Sequence, residues 1–242
     1  PEGFRNFLTR IIWVHPEDKD VYSYDDFIRL FQVEQLSKAG PVADRDLLEF
    51  VNGQYLRALD PAQWYAAMDG LLARLEARGE GVDIEEGTKQ GRVVHELSAE
   101  EVSRFAAAFR RDPDYTRKVL ALEPERFKKL GDFVLQYAFF LPDLFVPPPV
   151  EALVKQLGDA DGAALLRAHL EQYDPADGHE AWEAKVRTQA ETAGLKAGKL
   201  FMALRLALTG SDRTPPLYEV TQVLGGDEVR RRLSLAIAAL GG

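Results

Sequence analysis

Apolar residues recur at three- and four-residue intervals along almost the whole chain, and the breaks between these runs fall at glycine and proline clusters. The pattern predicts an all-α protein. "YSYDDFIRLFQ" opens with Ser23 in N-cap position, sets Asp25 and Asp26 in the first turn, and aligns Phe27, Leu30 and Phe31 on one face. "DRDLLEFVNGQYLRAL" follows a Gly-Pro break with Leu47, Leu48 and Val51 as its stripe. "DPAQWYAAMDGLLARLEARG" starts with Asp60 and Pro61 in the favoured cap and first-turn places and ends at Gly79.

The next stretch, "EGVDIEEGTKQGRVVHEL" over 80–97, is glycine-rich and charged without a sustained period, and reads as a loop. "SAEEVSRFAAAFRRD" restores the helical pattern with a capping box, Ser98 and Glu101. "PERFKKLGDFVLQYAFFLPDLF" is expected to continue helically to Pro142, with Phe133, Tyr137, Phe139 and Phe140 as core. "VPPPV" then stiffens the chain and removes backbone donors, which places a boundary near Val146. Beyond it, helices are predicted at 150–157, 161–172, 180–193, 195–208, 215–224 and 227–240. The resulting segments are 1–57, 58–146 and 147–242.

The sharpest local signal is "RLALTGSDRTPPLYEV" over 205–220. In the helix before it, Ala197, Leu200, Phe201, Leu204, Ala207 and Leu208 share one face, and Arg205 lies about 90° from the centre of that face. A rim arginine there can pack its stem and point its guanidinium outward. After Gly210 the chain reverses, and Thr214 is expected to cap a helix beginning at Pro215 and Pro216. A rigid turn beside a fixed arginine suits edge-reading of an unpaired base, and it also suits a plain helix pair.

Composition narrows the classes. The 242 residues, 46% hydrophobic and 29% charged, can bury an ordinary core. No cysteine is present, so disulfides and thiolate chemistry are excluded. Four histidines, at 15, 95, 169 and 179, show no metal-ligand spacing and read as solvated, so neither a metal nor a catalytic set is expected. No run approaches the roughly 18 apolar residues of a membrane span, and the start "PEGFRNFLTR" suggests a soluble piece of something longer. The formal charge of −9 argues against a surface coated for nucleic acid. Residues 182–242 nevertheless hold nine Lys/Arg against six Asp/Glu, a local excess of three positive charges.

"GLKAGKLFMALRLALTGSDRTPPLYEVTQVLGGDEVRRRL" resembles the C-terminal anticodon-binding domain of bacterial glutamyl-tRNA synthetases, with its "R-x-A-L-T-G", its "T-P" and its closing "R-L". Upstream, "PEGFRNFLTRIIW", "YSYDDFIRLF", "LSKAGPVAD" and "VNGQYLRAL" are similar to the stem-contact region of that family. The resemblance implies a stem-contact remnant over 1–57 and two helical anticodon-binding subdomains over 58–146 and 147–242. It assigns Arg205 to the first two anticodon letters, Thr214 and Pro215 to the middle letter, Arg126 of "PERFKKL" to the third, and Arg187 to the neighbourhood of the anticodon loop. One departure stands at "DLLEFVNG", where Leu47, Glu49 and Phe50 replace the family's usual Lys-Leu pair and Trp.

The family's HIGH-type and KMSKS-type motifs have no counterpart here, so the chain is not expected to activate an amino acid. ATP and magnesium are implied only for a catalytic domain that these residues do not include. The implied partners are glutamate tRNA, through its anticodon loop and inner stem, and the catalytic domain of the same synthetase, in the cytoplasm and away from any membrane. The alternative is a truncated paralogue serving as a helical protein-interaction module, which the acidic net charge keeps open.

Overall fold

A computed structural model describes residues 2–37, 43–88, 91–158 and 160–241. Among them the chain forms thirteen α-helices, several short 3-10 turns and one two-stranded sheet, so the architecture is predominantly helical. The Gly-Pro break before Asp44 and the centre of "LSKAGPVAD" lie outside the described residues. No helix among the described residues is long and apolar enough to cross a membrane.

The chain divides into two compact units, Pro1–Val102 with Glu123–Val134, and Ser103–Leu122 with Leu135–Gly242. These bounds differ from the three segments drawn on the sequence. The first unit contains α1 (Glu2–Arg10), α2 (Tyr24–Leu30), α3 (Arg45–Arg57) and α4 (Pro61–Arg78). Ser23 accepts from the Asp26 N–H at 3.0 Å. Asp60 and Gln63 close a reciprocal capping box at the start of α4. Two aromatic clusters make the core: Trp13 meets Tyr22 and Phe27 at 5.6 and 5.3 Å, and Trp64 meets Phe127 and Phe133 at 5.4 and 5.8 Å.

The segment read as a loop over 80–97 is a hairpin, β1 (Val82–Thr88) paired antiparallel with β2 (Gly91–Leu97), from Val82 opposite Leu97 to Thr88 opposite Gly91. Only Ile84 of the two strands is buried. The hairpin therefore lacks the apolar alternation that announces a half-buried strand. Ile84 and surface ion pairs connect it to the rest of the unit. A Cβ on Gly131 would stand 2.8 Å from Ile84 Cγ2, so that glycine admits the side chain. Arg92 pairs with Glu49 at 2.6 Å, and Arg45 with Glu85 at 2.5 Å.

The predicted continuous helix up to Pro142 is a second correction. After α5 (Ala99–Arg111) and α6 (Pro113–Leu120), Glu123 adopts a left-handed conformation with φ 42° and precedes a 3-10 turn, Pro124–Arg126. Proline disfavours the right-handed helical region for the residue before it, which breaks the run. α7 (Gly131–Tyr137) follows, then 3-10 turns at Ala138–Phe140 and Pro142–Leu144. Phe133, Tyr137, Phe139 and Phe140 are all buried, in keeping with a core role.

The second unit is completed by α8 (Val150–Leu157), α9 (Gly162–Gln172), α10 (His179–Thr192), α11 (Ala197–Thr209), α12 (Leu217–Leu224) and α13 (Gly226–Ala239). α11 packs against α8, α10 and α13, and α13 packs on α9, so α11 lies at the centre of this bundle. Two of the four histidines are core residues rather than solvated ones. His15 and His169 are each 4% exposed. His15 lies against Trp13 and Tyr22 at 5.6 and 5.1 Å between ring centres.

Candidate nucleic-acid interface

α11 is the element that positions the site. Leu200, Ala203, Leu204, Leu206, Ala207 and Leu208 are buried, a wider stripe than the spacing suggested, because neighbouring helices cover α11 on several sides. Arg205 is half-buried at the rim of this stripe. At the C-terminal end Thr209 is 3% exposed, and its hydroxyl lies 2.7 Å from the Arg205 carbonyl and 3.0 Å from that of Ser211. It also accepts from the Ser211 N–H at 3.1 Å.

Gly210 ends the helix with φ 72° and donates to the Leu206 carbonyl at 2.8 Å. A Cβ there would stand 2.5 Å from the Val146 carbonyl oxygen, so the "T-G" of the motif is required twice, by conformation and by space. The Ser211 hydroxyl then accepts from the Arg213 N–H at 3.1 Å and tightens the reversal.

Arg205 is joined to this turn. Its Nη1 donates to the Pro215 carbonyl at 2.9 Å, to the Thr214 carbonyl at 3.2 Å and to the Thr214 hydroxyl. The Thr214 hydroxyl in turn lies 3.0 Å from the Pro215 carbonyl. The expectation that Thr214 caps the next helix is corrected. α12 begins at Leu217, its N-cap is Pro216, and no side chain caps it. Each proline pushes the residue before it into extended backbone, so the helix cannot start until both have passed. Thr214 and Pro215 are both buried against the arginine. The structure therefore unites three of the five residues assigned from the sequence.

Arg187 belongs to a neighbouring cluster on α10. It is exposed, pairs with Glu183 at 2.5 Å, and lies 5.7 Å from the Phe201 ring centre on α11. Beside it, His179 stacks on Tyr218 with ring centres 4.7 Å apart and planes 6° apart. Trp182 packs on Phe201 at 5.6 Å, and its indole N–H is buried without a hydrogen-bond partner. Sequence reasoning missed this cluster, because His179, Trp182, Phe201 and Tyr218 come from three helices and share no spacing.

Arg126 stands in the first unit, in the 3-10 turn. It is half-buried and pairs with Glu123 at 3.1 Å. Next to it, Phe127 is fully buried, and the Asp132 carboxylate accepts from the Lys128 and Lys129 N–H groups at 2.8 and 3.1 Å. Burial raises the Asp132 pKa, with those two bonds acting against the rise.

A further residue escaped the sequence reading. Arg232 on α13 is fully buried, donates to the Leu208 carbonyl and to Glu228 at 2.6 Å each, and covers the Phe145 ring at 4.0 Å. It ties down the last turn of α11, where the Arg205 turn begins. Burial lowers its pKa, and the Glu228 carboxylate opposes that. The signal available in the sequence was the Glu228–Arg232 spacing of four, a helical salt-bridge distance.

Among the described residues no group of acidic or histidine side chains could hold a metal ion. Of the charges, 14 basic and 23 acidic side chains belong to the first unit and 16 of each to the second, so the whole −9 belongs to the first. The unit with the Arg205 turn is neutral overall.

The profile of the anticodon binding domain family matches residues 97–237. A glutamate–tRNA ligase of Gloeobacter violaceus is 48% identical over 239 residues, covering 98% of this chain and 45% of that protein. Another, from Dehalococcoides mccartyi, is 30% identical, covering 99% of this chain and 44% of its own length. The chain thus spans somewhat under half the length of these relatives. A crystal structure of a glutamate tRNA ligase from Elizabethkingia meningosepticum shares the fold, with a TM-score of 0.67 at 22% identity, over 99% of this chain and 41% of that one.

Proposed function

From the premise that this chain belongs to the anticodon binding domain family, we propose that it recognises the anticodon loop of a transfer RNA, and that this RNA is glutamate tRNA. The observation that carries the reading is the fixed junction of Arg205 with Thr214 and Pro215, inside the matched residues. An arginine whose guanidinium plane is held by a rigid turn can meet base edges without first being ordered, which is what discrimination between unpaired bases requires. Arg205, Thr214 and Pro215 would specify the first letters and Arg126 the third, while basic groups such as Arg187 position the loop through phosphates.

The choice of glutamate tRNA is supported by the names of the relatives, which are glutamate–tRNA ligases. The remainder of such a ligase, with its ATP and magnesium chemistry, would be the partner in catalysis, and translation in the cytoplasm the setting. A protein-interaction module would be favoured by acidic charge, but that charge is confined to the first unit.

The test is a titration with glutamate and glutamine tRNA transcripts over a salt series. Binding should weaken as salt rises and favour glutamate tRNA. Salt-independent binding, or equal binding of heparin at high salt, overturns the reading.

A further inference from the structure

An open groove of about 820 Å³ lies beside the Arg205 turn in the second unit. α8 contributes Lys155, α11 contributes Lys199, Met202 and Leu206, and Lys196 stands at the N-cap of α11. The turn itself, Gly210 to Asp212, lines the groove as well, so the two features are contiguous.

Several other cations of this unit are neutralised by neighbours. Arg111 pairs with Asp143, Lys185 with Asp177, Arg187 with Glu183, and Arg231 and Arg232 with Glu228. Lys155, Lys196 and Lys199 form no ion pair with any described residue, and all three are exposed. Asp212 is the one acid among the described lining residues.

The placement of two of these lysines runs against helix electrostatics. A helix N-terminus carries partial positive charge and favours acidic side chains, yet α11 has lysine at its N-cap and again three residues on, no acid in its first turn and no side-chain cap. Lys155 reaches the same groove from α8. Three lysines with no ion-pair partner among the described residues, and a helix N-terminus beside them, outweigh the single acid Asp212 and make the open groove favourable for an anion.

We propose that this groove holds the phosphodiester backbone of the RNA strand whose bases meet the Arg205 turn. Lysines act on phosphates as point charges and read no sequence, which fits a groove that positions a strand next to a turn that reads it. Met202 and Leu206 give the groove an apolar floor on which a ribose or an unstacked base can lie. The inference rests on the tRNA reading above and extends it from base contacts to the strand.

The experiment compares the full chain with a Lys155→Gln, Lys196→Gln, Lys199→Gln variant, and with Lys155→Glu alone, titrating glutamate and glutamine tRNA at several salt concentrations. The triple variant should keep its melting temperature, lose about tenfold or more in affinity at low salt, and show a slope of log affinity against log salt shallower by about two, near 0.7 per lost single-strand phosphate contact. Its preference between the two tRNAs should not change, and Lys155→Glu should weaken both equally. A triple variant with the wild-type affinity and slope overturns the groove while leaving the tRNA reading intact. Failure of the wild-type chain to bind either tRNA overturns both.

Discussion

Arg205 Nη1 donates to the Pro215 carbonyl at 2.9 Å, so the arginine assigned to base recognition also holds closed the turn that carries Thr214 and Pro215. The structural role and the proposed recognition role fall on one guanidinium. A substitution there removes at once the donors available to RNA and the donor that the turn's acceptors rely on, and its effects have to be separated by a second variant.

Arg205→Ala should lower stability by about 1 kcal/mol, a shift of about 2–4 °C in melting temperature, as the Pro215 and Thr214 acceptors lose a charged donor. It should weaken tRNA binding by about a further 1–3 kcal/mol. Thr214→Val removes only the hydroxyl and leaves the contact to the Pro215 carbonyl. It should therefore cost less affinity. Melting curves and titrations on both variants check this; equal loss of binding in the two would make the turn, rather than the guanidinium, the recognition element.

Gly210→Ala should be more damaging than either. The left-handed conformation costs a side chain about 1–2 kcal/mol, and here the new Cβ also meets backbone, the Val146 carbonyl oxygen at 2.5 Å, which cannot rotate away. Denaturant unfolding should show a loss of at least about 2 kcal/mol, together with weaker tRNA binding as the turn shifts. A loss near zero would mean that the segment before the prolines gives way.

The helices of the second unit were legible because their apolar stripes keep a 3.6-residue period and because glycine or proline punctuates most of the breaks, as Gly158, Gly194, Gly210 and Gly225 do. Three features were not. The hairpin at 82–97 buries one side chain, Ile84, and leaves no alternation to read. Glu123 and Pro124 interrupt a run whose apolar spacing continues beyond them. Thr214 has the residue type of a cap and a different partner, because Arg205 nine positions earlier is brought to it by the fold. Periodicity reports what one helix buries; it does not report which side chains from several helices converge, as His179, Trp182, Phe201 and Tyr218 do.

Stability should fall in mild acid through His169. Burial lowers its pKa to about 4, from an ordinary 6.5. Gln189 donates through Nε2 to the Leu165 carbonyl at 2.6 Å, which leaves Oε1 as the acceptor facing the imidazole and places the proton on Nδ1. The unfolded chain binds a proton below pH 6.5 and the folded chain only near 4. Stability is therefore complete above about 6.5 and declines as pH falls towards 4, by on the order of 3 kcal/mol in all. His169→Gln should flatten the difference in denaturant midpoint between pH 7 and pH 5; a wild-type midpoint that is flat over that range contradicts the assignment.

With ATP, glutamate and glutamate tRNA, this chain alone should show neither glutamylation nor glutamate-dependent pyrophosphate exchange, since neither nucleotide-binding signature occurs in its sequence. Exchange above background from a clean preparation would place an activating site where none has been recognised.

Arg126 is the residue proposed to discriminate at the third letter. Glutamate anticodons end in cytosine and glutamine anticodons in guanine. Arginine offers only donors, cytosine shows acceptors on its pairing edge beside one amino group, and guanine presents N–H and amino donors on a larger ring. A guanidinium aimed at that edge favours cytosine and opposes guanine, donor against donor. The structure holds Arg126 half-buried, 3.1 Å from Glu123, whose left-handed backbone is one of two positive-φ residues other than glycine among those described. That pairing limits where the side chain can reach, and a docked base would have to share the guanidinium with Glu123. Arg126→Gln, which both donates and accepts, should leave glutamate tRNA binding little changed and admit glutamine tRNA, narrowing the gap between them by about 1–3 kcal/mol. Glu123→Gln should keep the preference, because it frees the arginine rather than removing it. Both tRNAs titrated against the three proteins give the answer: a ratio that Arg126→Gln leaves unchanged would show that Arg126 serves its own turn and that the third letter is read elsewhere.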